Sequence, residues 1–292
     1  MKKYLIIGGA GFIGSHLSKK LLEQGNKVVV VDVKVGVTVE DKEFATIFKK
    51  EKPDVVYHLA GAIHLRRPID DPLFTQDLDF LHRTRIVLEA CKKNQVKKII
   101  FVSSGGAIYE NAKEVPTQET YASHPTSLYG LANVVIEKYI TLFCQKNKID
   151  FALPRLSNVY GPGQWESGII PSLILKMAKK VSPVIYGDGN QTRDFIYISD
   201  VVEVLILLAQ SAPSNIYNVA SGYEVSLNDI LGMVKNMMAS SVSATYQSSV
   251  SGGVSRSALD IKKITKELGW SPKTTMQAGL KKTIDFYVKP KK

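Results

Sequence analysis

The sequence has few of the features that mark a secreted, metal-binding or membrane-spanning protein. Its two cysteines, Cys91 and Cys144, lack a CxxC or CxxH partner, so neither a disulfide framework nor a metal site is expected. No run of about 18 apolar residues occurs, which argues against a membrane-spanning helix. The first residues run into a glycine-rich turn without the cleavage site of a signal peptide. These absences predict a soluble, cytoplasmic protein.

A single basic block is also missing, although the formal net charge is +11. The charge comes mostly from lysines scattered over the chain, a pattern typical of a solvated surface. A basic field attracts anionic small molecules such as a dinucleotide or a sugar nucleotide, and it permits weak, nonspecific nucleic-acid binding. No zinc-finger spacing, RNA-binding signature or arginine-rich arm accompanies it. We therefore expect no specific nucleic-acid partner and no membrane partner.

The first half of the chain alternates short β-branched runs with longer amphipathic stretches, a pattern that predicts a parallel sheet built from βαβ units. We expect strands at Tyr4 to Ile7, Lys27 to Val31, Val55 to His58, Lys98 to Ser103 and Phe151 to Arg155, and a weaker one at Val35 to Val39. Helices are expected at Gly11 to Gln24, Asp41 to Lys50, Phe74 to Asn94 and Tyr129 to Lys146. The predicted fold class is α/β, a Rossmann-type doubly wound sheet.

Beyond Arg155 the regular alternation is lost. Helices are expected at Ile170 to Lys180 and Ser199 to Gln210, and strands at Val184 to Tyr186 and Ile216 to Val219. The interleaving suggests a cofactor-binding domain over 1–166, to which 188–222 returns, and a smaller C-terminal substrate-binding lobe made of 167–187 and 223–292. A ligand cleft is expected between the two.

Glycines at 8, 11 and 14 form a GxxGxxG turn directly after the first predicted strand. The first permits a tight turn, the second lets the backbone approach a pyrophosphate, and the third lets the helix pack on the strand. The helix N-terminus then faces the anion with its free N–H groups and its dipole. A dinucleotide is the expected ligand.

Asp32 ends the second predicted strand, about 20 residues beyond the glycine turn. A carboxylate there can accept hydrogen bonds from both hydroxyls of the adenosine ribose. It would repel a 2′-phosphate, so NAD is favoured over NADP. The alternative is that Asp32 is a turn residue at a strand end.

Several motifs together resemble the NAD-dependent epimerase/dehydratase family of extended short-chain dehydrogenases, of which UDP-galactose 4-epimerases are the best-known type. They occur in the family's order: GGAGFIGSHL (8–17), HLAGA (58–62), SSGGAIY (103–109), SLYG (127–130), NVYGP (158–162), GDGNQTRDF (187–195), and finally LD (259–260) and LGWSP (268–272). The motifs are specific for the family but not for the substrate, since epimerases, dehydratases and reductases share them.

The resemblance assigns roles to particular residues. Tyr129 matches the acid/base tyrosine of the family's YxxxK motif, and Ser104 or Ser103 matches a hydroxyl donor to the reacting sugar, although a gapless alignment from Tyr109 would place Gly105 there. Asn158 and Arg193 match contacts to the substrate diphosphate; the alternative for Arg193 is an ion pair with Asp194 or Asp200. The remaining expected cofactor contacts are Phe12, Ile13, Leu59, Ala60, Gly61, Ser103 and Tyr129. His58 is expected to be structural.

The sequence departs from the family at Asn133, where the motif has lysine. One helical turn separates it from Tyr129, so the two share a face. The missing ammonium would lower the pKa of the tyrosine by about 1 to 3 and would bind the nicotinamide ribose. Asn133 keeps a hydrogen-bond donor but no charge, so slow turnover near neutral pH is expected.

Three further departures affect the same cleft. The family's second phosphate-binding arginine would fall near Val250, which is not basic. Phe80 and Arg83 stand where the family usually has asparagine and glycine, and the link from Asp32 to His58 is short. The leading hypothesis is an NAD-dependent nucleotide-sugar 4-epimerase acting as a homodimer. A reductase or dehydratase, a noncatalytic NAD- or sugar-nucleotide-binding protein, and a nucleic-acid or membrane-surface binder are the alternatives.

Overall fold

The computed structural model describes residues 1–61, 74–248 and 254–288. Strands alternate with helices through the first 160 residues, as the sequence predicts. The strands are β1 (Lys3–Ile7), β2 (Lys27–Val31), β3 (Val55–His58), β4 (Lys98–Phe101), β5 (Ser103–Ser104), β6 (Asp150–Leu156), β7 (Asn158–Tyr160), β8 (Val184–Tyr186), β9 (Thr192–Arg193), β10 (Phe195–Tyr197), β11 (Asn215–Val219), β12 (Val225–Ser226) and β13 (Thr245–Gln247).

The helices flank this set of strands. They are α1 (Phe12–Glu23), α2 (Lys42–Glu51), α3 (Phe74–Lys93), α4 (Gly105–Ile108), α5 (Leu128–Asn147), α6 (Ile169–Ala178), α7 (Ile198–Gln210), α8 (Leu227–Met237), α9 (Lys262–Leu268) and α10 (Met276–Val288). Each predicted helix of the first half is confirmed to within one or two residues at its ends.

Seven strands form one parallel sheet in the order β11, β6, β4, β3, β1, β2, with β5 paired to β6. The chain leaves β1 in one direction to β2 and returns on its other side to β3. Connections that diverge in this way open a crevice at the carboxyl ends of the strands, where α/β proteins bind ligands. The glycine turn follows β1 at that crevice.

The predicted strand at Val35 to Val39 is wrong. Val33–Val35 form a 3₁₀ turn instead, capped by the Asp32 carboxylate, which accepts a hydrogen bond from the Lys34 amide. Gly36 follows with a φ of +78°, which a strand does not allow. The strand was expected because it would fill the gap between the second strand and the next helix; the cap and the glycine form a turn there instead.

The core lies in two layers, one on each face of the sheet. One cluster joins the sheet to α1 and α7 and continues into α6, α8 and α10. The other joins it to α2, α3 and α5. A parallel sheet covered by helices on both faces is the doubly wound architecture that the sequence predicts. Within the described ranges, no helix is long and apolar enough to cross a membrane.

Candidate active site at the carboxyl edge of the sheet

The glycine turn after β1 is built by close backbone contacts. Gly8 has a φ of +82°, a conformation that glycine adopts without strain. A Cβ on Gly14 would lie 2.2 Å from the Gly8 carbonyl oxygen, and a Cβ on Gly8 would lie 2.7 Å from the Ala60 nitrogen. These glycines therefore hold α1 and the loop after β3 against the turn. The predicted cofactor residues Leu59, Ala60 and Gly61 lie in that loop.

Helix α1 points its N-terminus into the crevice. It begins after Gly11, which has no side chain to cap it, and its first turn carries no acidic residue. Because the first amides of a helix lack intrahelical acceptors, those of Phe12 and Ile13 are suited to an anion. The Phe12 ring is buried, with its centroid 5.7 Å from that of His16 and 6.1 Å from that of Trp165. Phe12 would therefore contact a cofactor through its backbone.

Asp32 closes the other side of the turn. Its carboxylate accepts hydrogen bonds from the Ala10 amide at 3.0 Å and the Lys34 amide at 2.9 Å. The Lys34 ammonium lies 3.4 Å from the Ala10 carbonyl oxygen. Asp32 thus caps a turn, as the alternative interpretation had it, and also sits at the strand end where a ribose would bind.

We predict that Asp32→Asn weakens NAD binding by roughly tenfold to a hundredfold, because hydrogen bonds to a charged acceptor contribute about 1.5–3 kcal/mol. The preference against NADP should relax, since the carboxylate no longer repels a 2′-phosphate while the Lys34 ammonium remains. Calorimetric titration of both cofactors into both proteins measures this ratio. An unchanged ratio of NAD to NADP affinity would show that Asp32 caps the turn and does not contact the ribose.

His58 ends β3 but does not face the crevice. Its imidazole is buried between Phe80 and Phe101, and its Nε2 lies 3.0 Å from the Thr84 hydroxyl. That hydroxyl donates to the Phe80 carbonyl, so the imidazole Nε2–H is the donor to Thr84. Burial lowers the pKa of His58 to about 4. The residue is a neutral part of the core, as expected.

Tyr129 is the second residue of α5, and a neighbouring glycine brings it into place. Ser127 caps the helix by accepting from the Gly130 amide at 3.1 Å. A Cβ on Gly130 would lie 2.3 Å from the Ala107 carbonyl oxygen, so only glycine lets α5 pack this closely on α4. The Ser104 side chain, just ahead of α4, lies close enough to the Tyr129 hydroxyl to lower its pKa. The structure therefore places the predicted acid/base tyrosine beside one of the predicted hydroxyl donors.

The structure also distinguishes the three candidates for the hydroxyl position. Ser104 is half-buried and contacts Tyr129. Ser103 is 2% exposed, and its hydroxyl is buried without a hydrogen-bond partner among the described residues. A Cβ on Gly105 would lie 2.5 Å from the Leu259 Cδ1, so this position accommodates no serine without displacement. Ser104 is the hydroxyl that is brought to Tyr129.

Asn133 directs part of its amide to the backbone. The side chain is 1% exposed, and Nδ2 donates to the Tyr129 carbonyl at 2.8 Å. Burial raises the pKa of Tyr129, while the nearby side chains of Ser104 and Asn133 act in the opposite direction. Within the described part of the chain, no cation is among the influences on this pKa. Tyr129 is therefore a weaker acid than a solvated tyrosine.

Sequence reasoning missed an ion pair on the same face of α5. Glu137, one turn beyond Asn133, is 2% exposed and binds Arg155 of β6 through Nε at 2.9 Å and Nη2 at 2.6 Å. The Arg155 guanidinium also lies 5.0 Å from the Tyr109 ring centroid. A charged residue on an otherwise apolar helix face was the one available signal. The pair fixes α5 against the sheet.

The two predicted substrate contacts lie together at β7 and β9. Asn158 donates from Nδ2 to the Asp194 carbonyl at 3.1 Å, and Arg193 donates from Nη1 to the Thr192 carbonyl at 2.7 Å. The Asp194 carboxylate is held by Ser157, Ser221 and the amides of Gly222 and Leu259, and Asp200 binds Thr274. Both acidic alternatives for Arg193 thus have other partners.

The departures in α3 have structural roles. Phe80 packs on His58, and Arg83 binds Glu40 at 3.2 Å, which ties α3 to the short link that follows Asp32. The position near Val250, where a second phosphate-binding arginine was sought, lies outside the described residues. In the described ranges, no group of three or more histidines, cysteines and carboxylates is arranged to hold a metal ion.

The crevice residues fit an NAD molecule. The uncapped N-terminus of α1 offers amides to a pyrophosphate, and Asp32 offers a carboxylate to a ribose at the adjacent strand end. The positive φ of Gly8 and the close approach at Gly14 keep side chains out of the turn between them. Tyr129 lies beside Ser104 at the carboxyl edge of the same sheet.

Comparison with known proteins agrees with this geometry. The model of the NAD-dependent epimerase/dehydratase family matches residues 4–220. A putative UDP-glucose 4-epimerase from Methanocaldococcus jannaschii is 36% identical over 97% of each chain. The UDP-glucose 4-epimerase of Thermotoga maritima, solved with UDP-glucose, has a TM-score of 0.91 at 33% identity over 98% of each chain. That of Thermus thermophilus, solved with NAD, has a TM-score of 0.90 at 29% identity over 98% of each chain.

Proposed function

We propose that this chain, which belongs to the NAD-dependent epimerase/dehydratase family, is a nucleotide-sugar 4-epimerase that uses Tyr129 as its acid/base. The observation that carries the proposal is the contact between Tyr129 and Ser104 at the carboxyl edge of the sheet, beside the glycine turn. The similarity to 4-epimerases over nearly the full chain supports this reaction.

Each residue has a separate task in this reaction. Bound NAD supplies the hydride acceptor and donor for the sugar carbon. Tyr129 removes the proton from the C4 hydroxyl and later returns it, and Ser104 hydrogen-bonds the same sugar oxygen and orients it. Gly130 and the Glu137–Arg155 pair hold α5 so that the phenol stays in place. The raised pKa of Tyr129 means that the basic form gains population as pH rises, so activity should increase toward alkaline pH.

A noncatalytic NAD- or sugar-nucleotide-binding protein is the second candidate, and Asn133 favours it. Mass spectrometry of small molecules released from purified protein, followed by incubation with a panel of UDP- and dTDP-sugars from pH 7 to 10, separates the two. The epimerase converts one sugar into its C4 epimer and recycles the cofactor. If NAD and a sugar nucleotide copurify but no turnover occurs at any pH, the protein is a noncatalytic binding protein and not an epimerase. Net consumption of NADH would identify a reductase.

The substrate diphosphate is proposed to bind Arg193 and Asn158. A guanidinium fork matches phosphate oxygens. Both residues are half-buried, and the Asn158 side chain donates to the carbonyl of Asp194, the residue that follows Arg193. Arg193→Met should weaken UDP-sugar binding by roughly tenfold to a hundredfold and NAD binding little. The matched control is Arg256→Met, because Arg256 is exposed and binds Glu224. Equal losses of both affinities, with a lower Tm, would assign Arg193 a structural role.

The domain boundaries are proposed as the sequence suggests, with 1–166 and 188–222 holding the cofactor and 167–187 and 223–292 forming the substrate lobe. The position of β11 within the main sheet supports the return of 188–222 to the first domain. The remaining strands pair outside that sheet, β7 with β10, β8 with β13 and β9 with β12. The substrate would then lie between the two.

A homodimer is proposed through α3 and α5. Helix α5 exposes Leu131, Val135 and Leu142 at 49%, 42% and 67%, and an exposed apolar row of this kind is typical of a subunit contact. We predict that wild type sediments as a dimer and that Val135→Glu/Leu142→Glu sediments as a monomer. Val181→Glu, at an exposed valine outside these helices, should stay dimeric. A monomeric wild type at about 50 µM would contradict the proposed contact.

A further inference from the structure

The excess positive charge of the chain lies at one edge of the fold. Parallel strands begin at a common edge, and the crossover helices end there. At this edge lie residues 2–3, 19–27, 49–54, 92–98 and 146–150. They contain 14 of the 38 basic and 4 of the 27 acidic residues. The rest of the chain, with 24 basic and 23 acidic residues, is nearly neutral.

This lysine edge is exposed and faces away from the crevice. Twelve of its 14 lysines are exposed, while Lys3 is half-buried and Lys98 is buried. Three of the exposed lysines form ion pairs with acidic neighbours: Lys20 with Glu23, Lys27 with Glu51 and Lys97 with Asp54. The glycine turn lies at the other end of β1, about 15 Å away for a strand of five residues.

The favourable effect of lysines at the C-terminal ends of helices explains only part of the accumulation of lysines at this edge. Lysines in the last turns of α1, α2, α3 and α5 interact favourably with the helix dipoles. Lys52 and Lys148 are the C-cap residues of α2 and α5. Lys2, Lys27 and Lys97 lie instead just before a strand or at its first residue, where no helix end requires a cation. Charges of one sign gathered at one edge produce a strong local field.

The chemistry of the edge favours a lipid surface over a nucleic acid. Its segments contain no arginine, although arginine is the residue that binds phosphates in a bidentate manner. Its segments contain no aromatic residue on which a base would stack. Leu22 projects from it with 56% exposure, between Lys20 and Lys27. An exposed apolar side chain among lysines suits the headgroup region of an anionic bilayer.

We infer that the lysine edge docks this protein on anionic phospholipid membranes, with the active-site crevice facing the solvent. Each basic residue near such a surface strengthens binding by about fivefold. The contact is peripheral and electrostatic, so salt should weaken it. It does not depend on the proposed enzymatic function, since no residue of the crevice takes part.

The test is sedimentation of the full chain with vesicles of phosphatidylcholine containing 30% phosphatidylglycerol, compared with phosphatidylcholine alone. Binding to the anionic vesicles at 50 mM salt and its loss at 500 mM are expected. The variant Lys49→Gln/Lys50→Gln/Lys92→Gln/Lys93→Gln should bind at least about a hundredfold more weakly. The matched control Lys113→Gln/Lys179→Gln/Lys266→Gln/Lys281→Gln removes the same charge at exposed lysines elsewhere and should bind like wild type.

Three results would overturn the inference. They are equal or no binding to the two vesicle types, equal weakening in both quadruple variants, and duplex DNA that binds the wild type at 150 mM salt when anionic vesicles do not. A thermal melt of each variant checks that it is folded. If the edge variant is unfolded, Lys2→Gln/Lys27→Gln/Lys97→Gln, which leaves the last turns and C-caps of the helices unchanged, replaces it.

Discussion

Asn133→Lys is expected to turn over nucleotide sugars at pH 7 roughly ten to a thousand times faster than wild type. Asn133 shares a face of α5 with Tyr129 and lies one helical turn away, with its side chain buried. An ammonium at this place would lower the pKa of the tyrosine by about 1 to 3. The fraction of phenolate at neutral pH would rise tenfold to a thousandfold.

The sign of the pH dependence follows from the same groups. Burial raises the pKa of Tyr129 in the wild type, so its basic form is scarce at pH 7 and increases with pH. Lysine at 133 should move the rising limb of the pH–rate profile to lower pH. The Asn133→Met variant keeps the length of lysine without its charge and should not shift the limb.

The pH–rate profiles of wild type, Asn133→Lys and Asn133→Met, with Tyr129→Phe as an inactive reference, test whether the charge at 133 controls the tyrosine. If Asn133→Lys and Asn133→Met give the same profile while Tyr129→Phe is inactive, the charge at 133 does not control the tyrosine. Thermal melts accompany the profiles, because a buried ammonium can lower stability.

Gly11→Val is expected to reduce NAD affinity by at least about a hundredfold. Gly11 caps α1 with φ and ψ near −76° and −179°, angles that any residue adopts, so the substitution does not strain the backbone. A Cβ there would meet only the Gly8 carbonyl oxygen, at 3.2 Å, among the described atoms. The branched side chain would instead fill the space where the pyrophosphate approaches the helix N-terminus.

Calorimetry of cofactor-free proteins measures the loss. Gly232→Val makes the same change in α8, where a Cβ would meet nothing within 4 Å, and should bind NAD like wild type. Equal NAD affinities in wild type and Gly11→Val would show that the pyrophosphate does not bind at the glycine turn.

The sequence predicted the sheet well because buried parallel strands form short apolar runs with clear ends. β2 and β3 have the predicted bounds, and β1 begins one residue earlier. The glycine turn was equally clear, since the spacing of Gly8, Gly11 and Gly14 reflects backbone contacts made within a few residues. Local sequence patterns were therefore enough to predict the sheet and the glycine turn.

Contacts between distant residues were harder to predict. A shift of one residue turns a side chain to the other side of a strand, so the sequence could not choose among Ser103, Ser104 and Gly105. The Glu137–Arg155 pair joins residues 18 positions apart, and only the packing of α5 on β6 brings them together. The strand predicted to fill the gap at Val35 to Val39 is wrong because the Asp32 carboxylate caps a 3₁₀ turn there and Gly36 has a positive φ.

The most direct test of the proposed function is the conversion of UDP-glucose at pH 9 in the presence of NAD, followed by chromatography of the sugar nucleotides. We expect a mixture of UDP-glucose and UDP-galactose, or of another C4-epimer pair from the panel, with total NAD unchanged. Tyr129→Phe should yield none. A wild-type protein that binds NAD and UDP-sugars but forms no epimer from any of them would contradict the proposed 4-epimerase activity.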